Sequence, residues 1–111
     1  MALLTQQNVV TGGTVITMAA ATLGGDSFQN SGVQRVLLRN ASGGALTVAV
    51  DAPGRDNFGV VGDEHDTEIE VPAGAIVSAG PFRTDRYNDT NGRVQLTYPD
   101  GVTSLTIAVT N

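Results

Sequence analysis

The sequence predicts an all-β chain: a single-domain antiparallel β-sandwich or jelly-roll-like barrel of about seven to eight short strands. Three observations carry that expectation. Apolar residues recur at every second position in one segment after another, the period of a strand with one buried and one wet face. Turn-forming Gly, Pro, Asn and Asp separate these segments, and 14 glycines in 111 residues leave no long segment uninterrupted. No segment carries the three-and-four spacing of an amphipathic helix.

Taken in order, Met1 to Gly13 has an apolar start at Ala2, Leu3 and Leu4, a polar TQQN, a Val9–Val10 pair and a break at Gly12 and Gly13. Residues 1–13 therefore read as an N-terminal arm or edge strand, and residues 14–111 as the sandwich domain. In Thr14 to Ala20, Ile16, Met18 and Ala20 share one face of a candidate strand. GGDSFQNSG, Gly24 to Gly32, is a loop by composition, with Phe28 plugging the core from it.

Val33 to Asp51 is the most legible stretch and reads as a β-hairpin. Val36 and Leu38 share one face of its first run, with Val33, Arg35, Leu37 and Arg39 on the other. Leu46, Val48 and Val50 alternate with Thr47, Ala49 and Asp51 in the second run. Asn40 to Ala45 supplies the residues that reverse a chain. Ala52 to Asp66 is a long connection rich in Gly, Asp and Pro. Thr67 to Val71 turns Ile69 and Val71 inward and Glu68 and Glu70 outward, and Ile76 to Phe82 is a further extended run. Asn91–Gly92 is the strongest short hairpin signal in the chain. Val94, Leu96 and Tyr98, and then Leu105, Ile107 and Val109 beyond the turn at Pro99 to Thr103, are the last inward rows.

Composition narrows function. A chain of 111 residues buries roughly 65 per cent of its unfolded surface, enough for one small domain with its own core. With no cysteine there is no disulfide framework, thiolate metal site or cysteine nucleophile. Net charge is −5 and the six basic residues are all arginines scattered along the chain, so the footprint of a nucleic-acid binder is missing. No apolar run is long enough to span a membrane as a helix, and the N-terminus lacks the basic region that opens a secretory signal. The chain is expected to be made in the cytoplasm, with neither nucleic acid nor membrane as partner.

Chemistry-bearing clusters are few. Asp63, Glu64, His65 and Asp66 put a carboxylate beside the single imidazole, a pairing that binds a cation or moves a proton. The multi-His sets of zinc sites are lacking, so a solvated acidic loop is the expectation. Tyr87 to Tyr98 sets Asp89, Asn91 and Gly92 at the third, fifth and sixth places of a calcium loop. Tyrosines occupy its first and twelfth places and a strand follows, so a turn is expected. Arg35 and Arg39 admit two readings: exposure to a partner, or cross-strand pairing with Glu68, Glu70 or Asp51. No catalytic set, metal site or cofactor motif is predicted, and the chain is not expected to be an enzyme.

The ALLTQQ start, GGDSFQNSG, VLLRNASGGALTVAVDAPG, VPAGAIVSAGPF and RYNDTNGRVQLTYPDGVTSLTIA resemble, nearly end to end and in this order, small virion proteins of tailed actinobacterial bacteriophages. These are capsid decoration or cement proteins. The resemblance implies a structural protein that binds the major capsid protein on the outer surface of the phage head, stabilises the lattice and assembles as a homotrimer. Its final location would be the virion. Ala2, Leu3, Leu4, Val9, Val10, Val33, Arg35, Leu37 and Arg39 are the expected interface. The alternative is a carbohydrate- or host-surface-binding β-sandwich of a fibre or tail, for which Phe58 and Tyr87 are the candidate aromatics.

Overall fold

The computed structural model describes residues 2–53, 66–99 and 104–111. Among them run ten strands and one helical turn: β1 Ala2–Leu4, β2 Gln6–Gln7, β3 Ala19–Ala20, β4 Asp26–Gln29, β5 Arg35–Asn40, β6 Leu46–Val50, β7 Thr67–Val71, β8 Ile76–Ala79, α1 Thr84–Tyr87, β9 Arg93–Thr97 and β10 Leu105–Thr110. They form a β-sandwich. The first sheet has the order β1-β4-β9-β6-β7 and the second β2-β10-β5-β8, with β3 also on β10. All pairs are antiparallel except β1 with β4 and β2 with β10, so both sheets are mixed. Among the described residues no helix is long and apolar enough to cross a membrane.

Alternation places the core. Val36 and Leu38 from β5, Val48 and Val50 from β6, Ile69 and Val71 from β7, Val94 and Leu96 from β9, and Leu105, Ile107 and Val109 from β10 are buried between the sheets. Each such side chain contributes about 1.5–3 kcal/mol relative to exposure. Phe28 joins them, its ring 5.8 Å from that of Phe82. Glu68 and Glu70 point outward, as their alternation with Ile69 and Val71 requires.

Four expectations change. The Val33 to Asp51 stretch is not a hairpin: β5 and β6 stand in opposite sheets, so residues 41–45 arch across the sandwich edge. This arrangement turns two apolar rows toward each other across the core. It is fixed by Asn40, a fully buried carboxamide whose Nδ2 donates to Gly44 O at 2.8 Å and Val71 O at 3.0 Å. Its Oδ1 accepts from Ser42 N at 2.9 Å and Ser42 Oγ at 2.6 Å. Asn40 thus supplies the bonds a tight turn would have made.

GGDSFQNSG is not all loop. Its centre is β4, flanked by β1 and β9, with Asp26, Ser27 and Phe28 all buried. Phe28 does fill the core, but from a strand. At Gly25, φ is 110° and an added Cβ would lie 2.4 Å from Leu96 O, so only glycine allows this approach to β9. The Thr14 to Ala20 run is strand only at Ala19–Ala20, paired with Thr106 and Ile107. Ile16 and Met18 are half-buried and Ala20 is exposed.

Asn91 and Gly92 also turn the chain differently from a two-strand hairpin, because α1 precedes them. Gly92 N donates to Asp89 O at 3.1 Å, and Asp89 N to Arg93 O at 2.8 Å, which starts β9.

Candidate interaction surface

The N-terminal segment edges both sheets. β1 lies parallel to β4 in the first sheet, Ala2 opposite Asp26 and Leu4 opposite Phe28. The chain crosses at Thr5, and β2 lies parallel to β10 in the second sheet. The segment thus seats on its own domain's edges, an integral edge strand in two pieces. Leu4 packs against the core while Leu3 is half exposed. Gln6 Oε1 accepts from Gln34 Nε2 at 2.7 Å, and a cleft of about 220 Å³ opens beside them, lined also by Leu3, Leu4, Thr5 and Gln29.

Residues 8–18 form a braced loop. At its base the Gln7 carboxamide takes both backbone groups of Thr17: Thr17 N donates to Oε1 at 2.8 Å and Nε2 donates to Thr17 O at 2.9 Å. Inside it, Thr14 Oγ donates to Asn8 O at 2.9 Å and accepts from Val10 N at 3.1 Å. Val9 N donates to Asn111 Oδ1 at 2.7 Å. Around these braces the loop exposes three large apolar side chains, Val9 at 50%, Val10 at 57% and Val15 at 91%, beside the exposed Asn8, Thr11 and Thr17. Val15 was not among the expected interface residues. Its phase marks it, since it alternates with the half-buried Thr14 and Ile16 and so faces away from the domain.

The expected interface is not one patch. Leu3 and Leu4 lie at the β1 edge of the first sheet, whereas Arg35, Leu37 and Arg39 lie on the outer face of the second. Arg35 and Arg39 are exposed, Leu37 is half-buried, and Val33, just before β5, is 57% exposed. Ile76, 66% exposed on β8 and opposite Arg39, extends that face. The pairing with Glu68 or Glu70 is not made, because β7 belongs to the other sheet. The cross-strand neighbours of Arg39 are Thr106 and Ile76, and that of Arg35 is Thr110.

Of the acidic cluster, Asp63, Glu64 and His65 lie outside the described residues, as does Phe58. Asp66 is half-buried, and its Oδ1 accepts from Ala52 N at 2.9 Å, tying the two ends of the long connection together. Among the described residues no group of three or more His, Cys, Asp or Glu is placed to hold a metal ion. Asp89 spends its carboxylate on its own chain: Oδ1 accepts from Asn91 N at 2.8 Å and Arg93 N at 3.1 Å, and Oδ2 from Gln95 Nε2 at 2.7 Å. These bonds, Gln95's first, hold its pKa below the ordinary carboxylate value. The calcium-like spacing is a turn. Tyr87 packs edge-on against Phe82 at 5.4 Å and shares a hydrogen bond with Thr67 Oγ1 at 2.6 Å, so it is part of the core margin and offers no open stacking platform.

No protein-family model, curated protein or solved structure matches this chain.

Proposed function

We propose that this chain is a capsid decoration or cement protein of a tailed bacteriophage, one that assembles as a homotrimer on the outer surface of the head and binds the major capsid protein. The reading begins from the sequence resemblance to such proteins. The observation that carries it furthest is the braced 8–18 loop. Several of its polar groups are committed to these braces, and Val9, Val10 and Val15 stand exposed beside Asn8, Thr11 and Thr17, a construction suited to contact with another protein surface. The loop grows from strands at the edge of the second sheet, so force on it is passed to the sandwich through backbone pairing. That suits a part whose task is to hold a lattice together.

The experiment is a binding titration of purified protein onto heads that lack it, for the wild-type chain and a Val9→Ser, Val10→Ser, Val15→Ser variant. Wild type should saturate at a fixed number of copies per head, and the variant should bind at least about tenfold more weakly with an unchanged melting transition. Equal binding by both would remove the loop from the interface.

A further inference from the structure

The outer faces of the two sheets differ in charge. On the second sheet, Arg35 and Arg39 stand exposed on β5 with Leu37 between them and Ile76 beside Arg39 on β8. On the first sheet, Glu68 and Glu70 stand exposed on its terminal strand β7. None of these four charged groups makes an ion pair with another described residue. The two groups face opposite ways near one edge of the sandwich: β7 and β8 are the end strands of their sheets, joined by a turn in which Ala75 N donates to Pro72 O at 3.0 Å.

A face that shows two arginines and, among the described residues, no acid repels its own copy, and so does a face with two glutamates. Meeting like to like, as a two-fold dimer centred on either patch would, is unfavourable. Meeting unlike is favourable, and the apolar Leu37 and Ile76 between and beside the arginines give such a contact area to bury. We infer that a second copy of this chain docks head to tail, setting its Glu68 and Glu70 on the Arg35, Leu37, Arg39 and Ile76 face of the first. A contact of this kind is heterologous: repeated, it closes into a ring when the rotation between copies divides a full turn. The inference rests on the reading of the chain as a self-assembling protein and names the surfaces it uses, but it does not depend on a capsid.

The test is therefore made in solution without heads, by sedimentation velocity on the full chain across a concentration series, in low and high salt. Wild type should associate, more weakly in high salt. The variants Arg35→Glu, Arg39→Glu and Glu68→Arg, Glu70→Arg should each weaken association at least about tenfold. The fourfold variant with both changes restores unlike charges across the contact, and should recover the wild-type oligomer. All four side chains are exposed, so circular dichroism and melting should be unchanged, which separates lost docking from lost folding. A monomeric wild type, association indifferent to either double change, or a folded fourfold variant that stays dissociated would each overturn the inference. Head binding that fails while this pattern holds would refute the capsid role alone.

Discussion

Tyr98 anchors Asp26: the phenol donates to Asp26 Oδ2 at 2.8 Å, and the carboxylate it serves has no exposed surface. Thr22 N donates to the same oxygen at 3.0 Å. The bond fastens the end of β9 to β4, the strand whose polar sequence hid it. Tyr98→Phe removes a donor from a buried carboxylate and should cost about 1–3 kcal/mol, read from the midpoint of a urea titration.

The same phenol makes stability depend on alkaline pH. Burial first, and the bond to Asp26 second, push the Tyr98 phenol's pKa well above its ordinary value of about 10. The folded chain therefore keeps this proton at a pH where the unfolded chain releases it. The stabilisation from Tyr98 should be whole below about pH 10 and decline as pH rises beyond it. Unfolding titrations at pH 8 to 11 should show a fall for the wild type that is shallower for Tyr98→Phe.

Asn40 and Gly43 should separate the arch from a hairpin. Asn40→Ala takes a donor from Val71 O in the interior and unties Ser42, and should cost about 2 kcal/mol or more. Gly43→Ala meets no atom within 4 Å and should be nearly neutral, within about 0.5 kcal/mol. A two-residue turn of primed type would reverse this order, since it demands its glycines and has no use for a buried Asn. Thermal unfolding of the two variants decides.

The positions of the inward rows were legible in the sequence, and their partners were not. Val36, Leu38, Val48, Val50, Ile69, Val71, Val94, Leu96, Leu105, Ile107 and Val109 follow from alternation alone, because one apolar face must be buried wherever the sheet stands. Alternation says nothing about which sheet a strand joins, so β5 and β6 read as a hairpin across a segment that in fact changes sheets. β4 was hidden for another reason: its buried positions are Asp26, Ser27 and Phe28, and polar groups satisfied by Thr22 and Tyr98 leave no apolar period to detect. Of the surface, the valines at 9 and 10 and the arginines at 35 and 39 could be named from residue type. The braces that make 8–18 a defined loop, Gln7 to Thr17 and Thr14 to Asn8, join residues by geometry that no spacing rule contains.

Gly25→Ala should be among the most damaging single changes. It places a Cβ against Leu96 O and demands φ of 110° from an L residue, strain of about 1–3 kcal/mol before the clash is counted. Gly44→Ala, with open space around it, is the control. Comparable melting temperatures for the two would show that β4 does not approach β9 as described.

Read as a free arm ahead of the Gly12–Gly13 break, residues 2–10 would be removable without loss of folding. The strand pairs of β1 and β2 and the packing of Leu4 argue otherwise. Deletion of 2–10 should cost about 2 kcal/mol, equivalent to a fall of roughly 5–10 °C in Tm. An unchanged Tm would restore the free-arm reading.

The capsid assignment is tested most directly by a cryo-electron reconstruction of heads, first stripped of this protein and then incubated with it. New density is expected on the outer surface at symmetry-related lattice positions, in threefold clusters into which the sandwich fits with its 8–18 loop toward the capsid. Heads that bind no protein, or density confined to the tail, would contradict it.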